Sequence, residues 1–176
     1  MGTPPMETRE VSIQALGKNA NMFGYNLDDA EYAGLLQKEK SAADAMFLFL
    51  SDVHLDKRHV ITGIRTILQG YLEDDVNPTV VVLMGSFLSH PFGQAPTDPA
   101  ILAARFTELG QMIANEFHLL AEQCMFIIVP SPLDAGPGNI LPRPPMPPMI
   151  TQGFVDALGS DRVFLTSNPC RIRYMT

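Results

Sequence analysis

The sequence predicts an α/β fold, a layered parallel sheet with helices on both of its faces. Two observations support this prediction. Short apolar runs alternate with segments that have the spacing of amphipathic helices, an order typical of parallel strands joined by helical crossovers. Each run ends at a cluster of Gly, Pro, Ser or Asp, which favours strands over buried helix segments. The four runs are AMFLFL (45–50), TVVVLM (79–84), MFIIV (125–129) and RVFLT (162–166).

Two helices are predicted between the first three strands. The first lies within residues 57–71, and Asp56 is placed to cap its start. The second begins at Thr97, a potential N-cap followed by a proline in the first turn. The apolar faces consist of Val60, Ile61, Ile64, Ile67, Leu68 and Tyr71 in the first helix, and of Leu102, Phe106, Leu109, Ile113, Phe117 and Leu120 in the second.

Two further segments do not follow this pattern. Residues 28–45 are polar and bear Lys and Glu, so they are compatible with a short helix or a linker, and we assign them as a linker. Residues 130–150 hold most of the prolines. Their composition alone would indicate a polyproline-type ligand or a spacer. Their position between two predicted strands favours an ordered, irregular loop.

Composition limits the classes of function. The chain has 176 residues, 46% hydrophobic and 18% charged, as in globular proteins. Its apolar runs are far shorter than the ~20 residues of a membrane span, and no secretory leader is evident. Cys124 and Cys170 stand alone, which predicts reduced thiols in an intracellular protein. A net charge of -7 argues against nucleic-acid binding through the overall field, so DNA contact would be local or made through a partner.

Candidate metal ligands follow the first strand. Asp52 and His54 alternate along an extended segment, and a carboxylate with an imidazole can bind one ion. A two-metal site, with ions ~3.5–4 Å apart, needs shared anionic ligands. The second strand is followed by Gly85 and Ser86, and a serine hydroxyl brings no charge. The predicted site is therefore incomplete.

The third strand end offers no better ligands. Ser131 and Pro132 bring neither an imidazole nor an amide, and Asp134 is predicted to cap a turn that contains Gly136 and Gly138. The remaining histidines are scattered along the chain, and we expect structural or surface roles for them. They are His59, His90 and His118. No catalytic residue, metal ligand or cofactor is assigned.

The strand-end motifs resemble those of calcineurin-like metallophosphoesterases. Asp52-x-His54 is similar to the first motif, and Gly85 to the start of the second. In active members the second motif is Gly-Asp, whose Asp bridges the metals, and the third is Gly-Asn-His. Ser86 and the stretch PSPLD stand at these positions here. The resemblance therefore implies an inactive domain with Asp52, His54 and Ser86 as vestigial motif positions.

The degraded motifs resemble more specifically the family of DNA polymerase epsilon B-subunits, the non-catalytic second subunits of that replicase. The specific segments are ILPRPP (140–145) and NPCR (168–171), together with FLSDVHLD and VLMGSFLS. This resemblance implies the end of an oligonucleotide/oligosaccharide-binding (OB) domain in residues 1–27, the linker 28–45, and the N-terminal part of the phosphoesterase-like domain in residues 46–176. The chain thus looks like a fragment.

The resemblance also implies a function and partners. The implied function is that of a nuclear accessory subunit that binds the C-terminal region of the polymerase epsilon catalytic subunit. The other subunits and the replicative helicase are implied partners through the complex. The alternative is an active metal-dependent phosphoesterase that uses Asp52 and His54. A nucleotide-binding α/β domain is set aside because no Gly-rich loop follows a predicted strand. Ser86 favours the accessory subunit over the active phosphoesterase.

Overall fold

The computed structural model describes residues 8, 10–11, 28–137, 140–172 and 174. The chain divides into two compact units, one of Met1–Asp44 with Arg171–Thr176 and one of Ala45–Cys170. The predicted OB remnant in residues 1–27 lies almost entirely outside the described residues, and it stays a prediction.

In the first unit, helix α1 spans Asp29–Ser41. It begins with a capping box: the Asp28 carboxylate accepts from Glu31 N–H at 2.7 Å, and Glu31 accepts from Asp28 N–H at 3.0 Å. None of its residues is buried, so capping and charge rather than packing stabilise it. Of the two alternatives for residues 28–45, a short helix is confirmed over most of the segment.

The second unit is built on a parallel sheet of four strands in the order β1-β2-β3-β4. All four predicted strands are confirmed, each within about two residues of its apolar run. The strands are β1 (Phe47–Leu50), β2 (Val80–Met84), β3 (Met125–Val129) and β4 (Val163–Leu165). The helices of this unit are α2 (Arg58–Glu73), α3 (Asp98–Glu116), α4 (His118–Gln123) and α5 (Pro148–Leu158).

The main core lies between one face of the sheet and the four helices. Alternate strand residues such as Val81 and Leu83 of β2 point into it, because successive side chains leave a strand on opposite faces. A chain of aromatic rings forms its centre. Phe106 lies 5.0 Å from Phe87 and 6.1 Å from Phe154, and Phe154 lies 5.9 Å from Phe126, measured between ring centroids. All four rings are fully buried.

The opposite face of the sheet carries a second apolar cluster. It contains Val80 and Val82 of β2 with Ile127 and Val129 of β3, and Cys170 packs against it. Within the described part of Ala45–Cys170, no helix contributes to this cluster. The predicted helices on both faces are thus observed on one face only, since α2 to α5 all join the main core.

The starts of α2 and α3 differ from the prediction. Asp56 does not cap α2, which begins after Lys57 without a side-chain cap. Its carboxylate instead accepts from Ser89 N–H and the Ser89 hydroxyl, because a loop donor satisfies it better than the helix end does. Thr97 occupies the N-cap position of α3 but makes no capping bond, whereas the first-turn proline is confirmed.

The predicted apolar faces are largely correct. All six residues named for the second helix are buried, although the helix ends at Glu116 and a short helix, α4, follows Phe117. In α2, Ile61, Ile64 and Leu68 are buried, but Ile67 is exposed. The apolar residues of α2 cover a wider part of the helix surface than the part that packs against the core.

Helix α5 was not predicted from the sequence. It starts at Pro148, inside the segment assigned as a loop, and ends at Leu158. Ile150, Phe154 and Leu158 recur every fourth residue and are buried, which is the signal that could have revealed it. The rest of the segment that is described is an irregular loop, as predicted.

Both cysteines are free thiols, as predicted. Burial raises the pKa of Cys124 to about 11, and its thiol donates to Pro78 O at 2.6 Å. Such a thiol is chemically inert at neutral pH. Among the described helices, none combines the length and apolar character needed to cross a bilayer.

Candidate functional site

The loops that follow β1, β2 and β3 meet at the carboxyl edge of the sheet, where parallel α/β proteins hold their working residues. Backbone hydrogen bonds tie these loops together. Leu55 N–H donates to Phe87 O at 2.8 Å, and Gly85 N–H donates to Val129 O at 2.9 Å. The loops after the three strands therefore lie side by side, as the predicted parallel topology requires.

His54 and the two serines are brought together at this edge. His54 Nδ1 donates to Ser86 O at 3.0 Å, because a carbonyl can only accept, so the proton of a neutral ring lies on Nδ1. The Ser86 hydroxyl lies 3.1 Å from the Ser131 hydroxyl. Ser131 Oγ in turn accepts from Leu133 N–H at 3.1 Å. The three side chains form hydrogen bonds that link successive loops.

Asp52 does not join this network. Its side chain is exposed, and the Ser51 hydroxyl donates to it at 3.3 Å. Its backbone has φ of 52°, the left-handed region that Asp tolerates better than most residues. The local backbone thus accounts for an Asp at this position without a metal.

Asp134 is the buried carboxylate of the site, with 4% of its surface exposed. It accepts from Phe87 N–H and from Ser131 N–H, both at 2.7 Å. Burial raises the pKa of Asp134, against the effect of these hydrogen bonds and of the Arg143 charge. The carboxylate faces Ser131 and the loop after β2. Gly138, in the turn that Asp134 was predicted to cap, lies outside the described residues, so that assignment stays a prediction.

Arg143 supports the loop that carries Asp134. Its guanidinium is buried and donates to Asp134 O and, at 3.3 Å, to Pro137 O. Its backbone exchanges two hydrogen bonds with Asn168, and Asn168 Nδ2 donates to Pro130 O at 2.8 Å. The segments ILPRPP and NPCR, far apart in sequence, are therefore in contact beside the end of β3.

The arrangement has few ligands to offer a metal. Across the described ranges, no three His, Cys, Asp or Glu side chains lie close enough together to hold an ion. His54 donates to the Ser86 carbonyl, and the Asp134 carboxylate accepts from two backbone N–H groups. Chemically, the strand ends form a junction of loops held together by hydrogen bonds.

Sequence reasoning missed a second polar cluster, around Asp98 at the start of α3. This carboxylate, 1% exposed, accepts from Gly93 N–H at 2.9 Å, from Ala95 N–H at 3.1 Å and from His90 Nε2 at 3.1 Å. The Ala95 and His90 hydrogen bonds lower the pKa of Asp98 below its usual value, against the effect of burial. His90 thus has the structural role expected of it, and His59 and His118 are on the surface as predicted.

Asp56 and Ser89 form another pair that the sequence did not reveal. Ser89 N–H donates to Asp56 at 2.9 Å and its hydroxyl at 2.5 Å, which joins the loops after β1 and β2 a second time. Burial acts to raise the pKa of Asp56, but the bonds from Ser89 and the charge of Lys57 outweigh it and lower the pKa. The aspartates of these loops thus serve as acceptors that fix loop geometry.

The fold and site define an α/β protein whose parallel strand ends are joined by hydrogen bonds. Comparison with known proteins identifies the family. The family model for the DNA polymerase alpha/epsilon B-subunit matches residues 47–176, and the chain belongs to this family. The resemblance to the epsilon B-subunits, inferred from ILPRPP and NPCR, is confirmed.

Individual relatives are similar to this chain over almost its whole length. The DNA polymerase epsilon B-subunit of Arabidopsis thaliana is 32% identical over 98% of this chain. DNA polymerase epsilon subunit 2 is 38% identical over 99% of it in Homo sapiens and 33% identical over 100% in Drosophila melanogaster. The chain spans about a third of the length of these relatives, 32% in each case.

Proposed function

We propose that this chain is a non-catalytic accessory subunit of DNA polymerase epsilon. In this proposal, residues 46–176 are the N-terminal part of an inactive calcineurin-like phosphoesterase domain that binds the C-terminal region of the catalytic subunit. Its place of action is the nucleus, where the polymerase complex brings it to the other subunits, the replicative helicase and, indirectly, DNA. Residues 1–27 are the end of an OB domain, and residues 28–45 connect the two.

One observation carries the proposal of inactivity: the end of β2 presents the Ser86 hydroxyl, bonded to Ser131, in the place of a bridging carboxylate. Two divalent ions ~3.5–4 Å apart repel each other strongly unless anionic ligands lie between them. A neutral hydroxyl does not supply that charge. The alternative, a phosphoesterase that uses Asp52 and His54, is not favoured, because Asp52 is exposed and His54 donates to Ser86 O.

The family relationship supports the proposal of a partner. The relatives that match are themselves named as subunits of DNA polymerase epsilon. With a net charge of -7, the chain is also poorly suited to hold DNA by its own field, which favours a protein as the direct contact.

Co-purification tests the partner. The chain is co-expressed with a tagged C-terminal region of the polymerase epsilon catalytic subunit, and the complex is analysed by size-exclusion chromatography. We expect the two to co-elute at a constant ratio. A catalytic-subunit fragment that lacks this region is the matched control and should leave the chain in the unbound fraction. Equal recovery with both fragments, or with neither, would contradict the proposed contact.

A hydrolysis assay tests the inactivity independently. Bis-p-nitrophenyl phosphate is incubated with the chain and Mn²⁺, beside the Asp52→Ala and His54→Ala variants. We expect the same background rate for all three proteins, since the ligand set for a metal pair is incomplete. A rate that exceeds background and disappears in both variants would establish the active phosphoesterase instead.

A further inference from the structure

Three arginines line a groove between α2 and α3, in a protein whose net charge is -7. The cavity in this groove has a volume of about 250 Å³. Its apolar part comes from Leu55 and Ile61, and its polar part from side chains of both helices. The polar residues are Arg58, Thr62 and Arg65 from α2, and Arg105 and Glu108 from α3.

The positive charge of the groove is only partly neutralised. Arg65 forms a two-pronged ion pair with Glu116, at 2.6 and 2.9 Å, which joins α2 to α3. Arg105 pairs with Glu108 on its own helix. Arg58 is exposed and makes no ion pair with any residue that the structure describes. One arginine therefore remains without a counter-charge at the edge of the cavity.

The start of α2 adds to this positive field. Lys57 and Arg58 stand at or next to its first turn, which contains no acidic residue and no side-chain cap, and Lys57 is paired with Asp56 at 3.6 Å. Cations at this end oppose the helix dipole, which favours negative charge there. Helix N-termini are also common sites of anion binding. A bound anion would thus offset an arrangement that is unfavourable in the free protein.

We propose that this groove binds an acidic segment of a partner protein. Carboxylates of the segment pair with Arg58 and with the part of the Arg105 guanidinium that Glu108 does not occupy. Guanidinium groups have the planar geometry that binds carboxylates in two-pronged contacts. A neighbouring apolar side chain of the segment packs toward Leu55 and Ile61. This contact goes beyond the proposed binding of the catalytic subunit and does not depend on it.

The observations favour a protein segment over a nucleic acid. Nucleic-acid affinity depends on many phosphate contacts at once. The groove offers three arginines, of which two already have acidic partners. A cavity of about 250 Å³ with an apolar part is suited to one or two side chains.

Fluorescence anisotropy tests the proposal with a short labelled peptide in which Glu and Leu alternate. Peptide binding to the full chain should weaken about tenfold in Arg58→Ala with Arg105→Ala, and by a smaller factor in Arg58→Ala alone. Lys57→Ala is the matched control, because it removes a neighbouring charge that does not line the cavity. Its effect should stay below about twofold. Since Arg58 makes no ion pair with a described residue and opposes the helix dipole, Arg58→Ala should melt at or slightly above the temperature of the unsubstituted chain.

Three outcomes would overturn the proposal. The first is the absence of measurable peptide binding. The second is an equal loss of affinity in Lys57→Ala and Arg58→Ala, which would indicate a diffuse charge effect. The third is tighter binding of a single-stranded oligonucleotide than of the peptide with the same dependence on Arg58 and Arg105, which would assign the groove to a phosphate backbone.

Discussion

Arg143 and Asn168 exchange two backbone hydrogen bonds, from Arg143 N–H to Asn168 O at 2.7 Å and from Asn168 N–H to Arg143 O at 2.9 Å. This pairing joins the loop before α5 to the segment after β4. The Arg143 guanidinium extends from the pairing to Asp134 O and Pro137 O. Arg143 of the ILPRPP segment therefore contacts two regions: its backbone pairs with Asn168 of the NPCR segment, and its guanidinium with the loop after β3.

We predict that Arg143→Lys destabilises the protein by about 2 kcal/mol, because a lysine retains the charge but cannot reach two carbonyls with a planar fork, and a buried acceptor left unsatisfied costs ~1–3 kcal/mol. Chemical denaturation measures the change. The control is Arg162→Lys, at a partly exposed residue whose ion pair with Asp161 is 3.8 Å long. Equal stability of the two variants would show that the guanidinium contacts contribute little.

A close approach between the loops after β2 and β3 gives a second prediction. A Cβ on Gly85 would lie 1.8 Å from Asp134 Oδ2 and 2.8 Å from Ser131 N. Gly85→Ala must displace a carboxylate that is held by two backbone donors, so we expect a loss of about 2–4 kcal/mol, in the range of disrupted buried polar networks.

Gly63→Ala provides the matched control for this substitution. Gly63 lies within α2 with nothing within 4 Å of the added Cβ, and Ala is a better helix former by about 0.5–1 kcal/mol. The two variants should shift the melting temperature in opposite directions. If Gly85→Ala melts at or above the temperature of the unsubstituted protein, the packing of Asp134 against Gly85 is not rigid.

The sequence predicted the sheet well because its signal is local. Continuous runs such as TVVVLM and MFIIV, each ended by turn-forming residues, favour strands buried on both sides, and the alternation of strand and helix then predicts a parallel sheet. The short helix α5 was not predicted, because its proline-rich start resembles a loop. That helices α2 to α5 all cover the same face could not be predicted either, since no local pattern says which face a crossover covers.

The site was predicted less completely, for a physical reason. The strand ends at Asp52, Ser86 and Ser131 follow from topology, but the partners of a buried carboxylate depend on how loops distant in sequence pack. Asp134 was assigned to its own turn, although its carboxylate also binds Phe87 N–H across the site. Asp56 was assigned to a helix end, whereas it binds Ser89. In both cases a long-range donor replaced or joined the local one.

His54 and Asp52 should respond differently to substitution, although both stand in one motif. His54→Ala removes the donor to Ser86 O and should cost about 1 kcal/mol, the typical net value of a hydrogen bond. Asp52→Gly should be neutral or stabilising, because φ of 52° suits glycine and the side chain makes one exposed contact. Thermal melting of both variants is the measurement. A larger loss for Asp52→Gly than for His54→Ala would indicate a role for the carboxylate that the geometry does not explain.

The last prediction concerns acid stability and Asp98. Because its pKa is lowered in the folded protein, the ionised carboxylate stabilises the fold above the pKa of an unfolded aspartate, ~3.9, and this stabilisation is lost as the pH falls through the lower, folded value. Asp98→Asn keeps an oxygen for Gly93 N–H and Ala95 N–H but removes the charge. We expect it to lower the melting temperature at pH 7, and the difference from the unsubstituted protein to shrink as the pH drops below about 4.

Two further variants separate this effect from general acid denaturation. His90→Gln removes the side chain that hydrogen-bonds the carboxylate and should reduce the pH dependence in part, since the backbone donors remain. Asp156→Asn is the control, because Asp156 is an acidic residue whose hydrogen bond is to Gln152 at the surface of α5. Melting curves of all four proteins, recorded at intervals of about one pH unit between pH 3 and 7, measure the contribution of the Asp98 charge. If the melting temperatures of Asp98→Asn and the unsubstituted protein differ by the same amount at every pH in this range, the folded state does not favour the ionised form of Asp98.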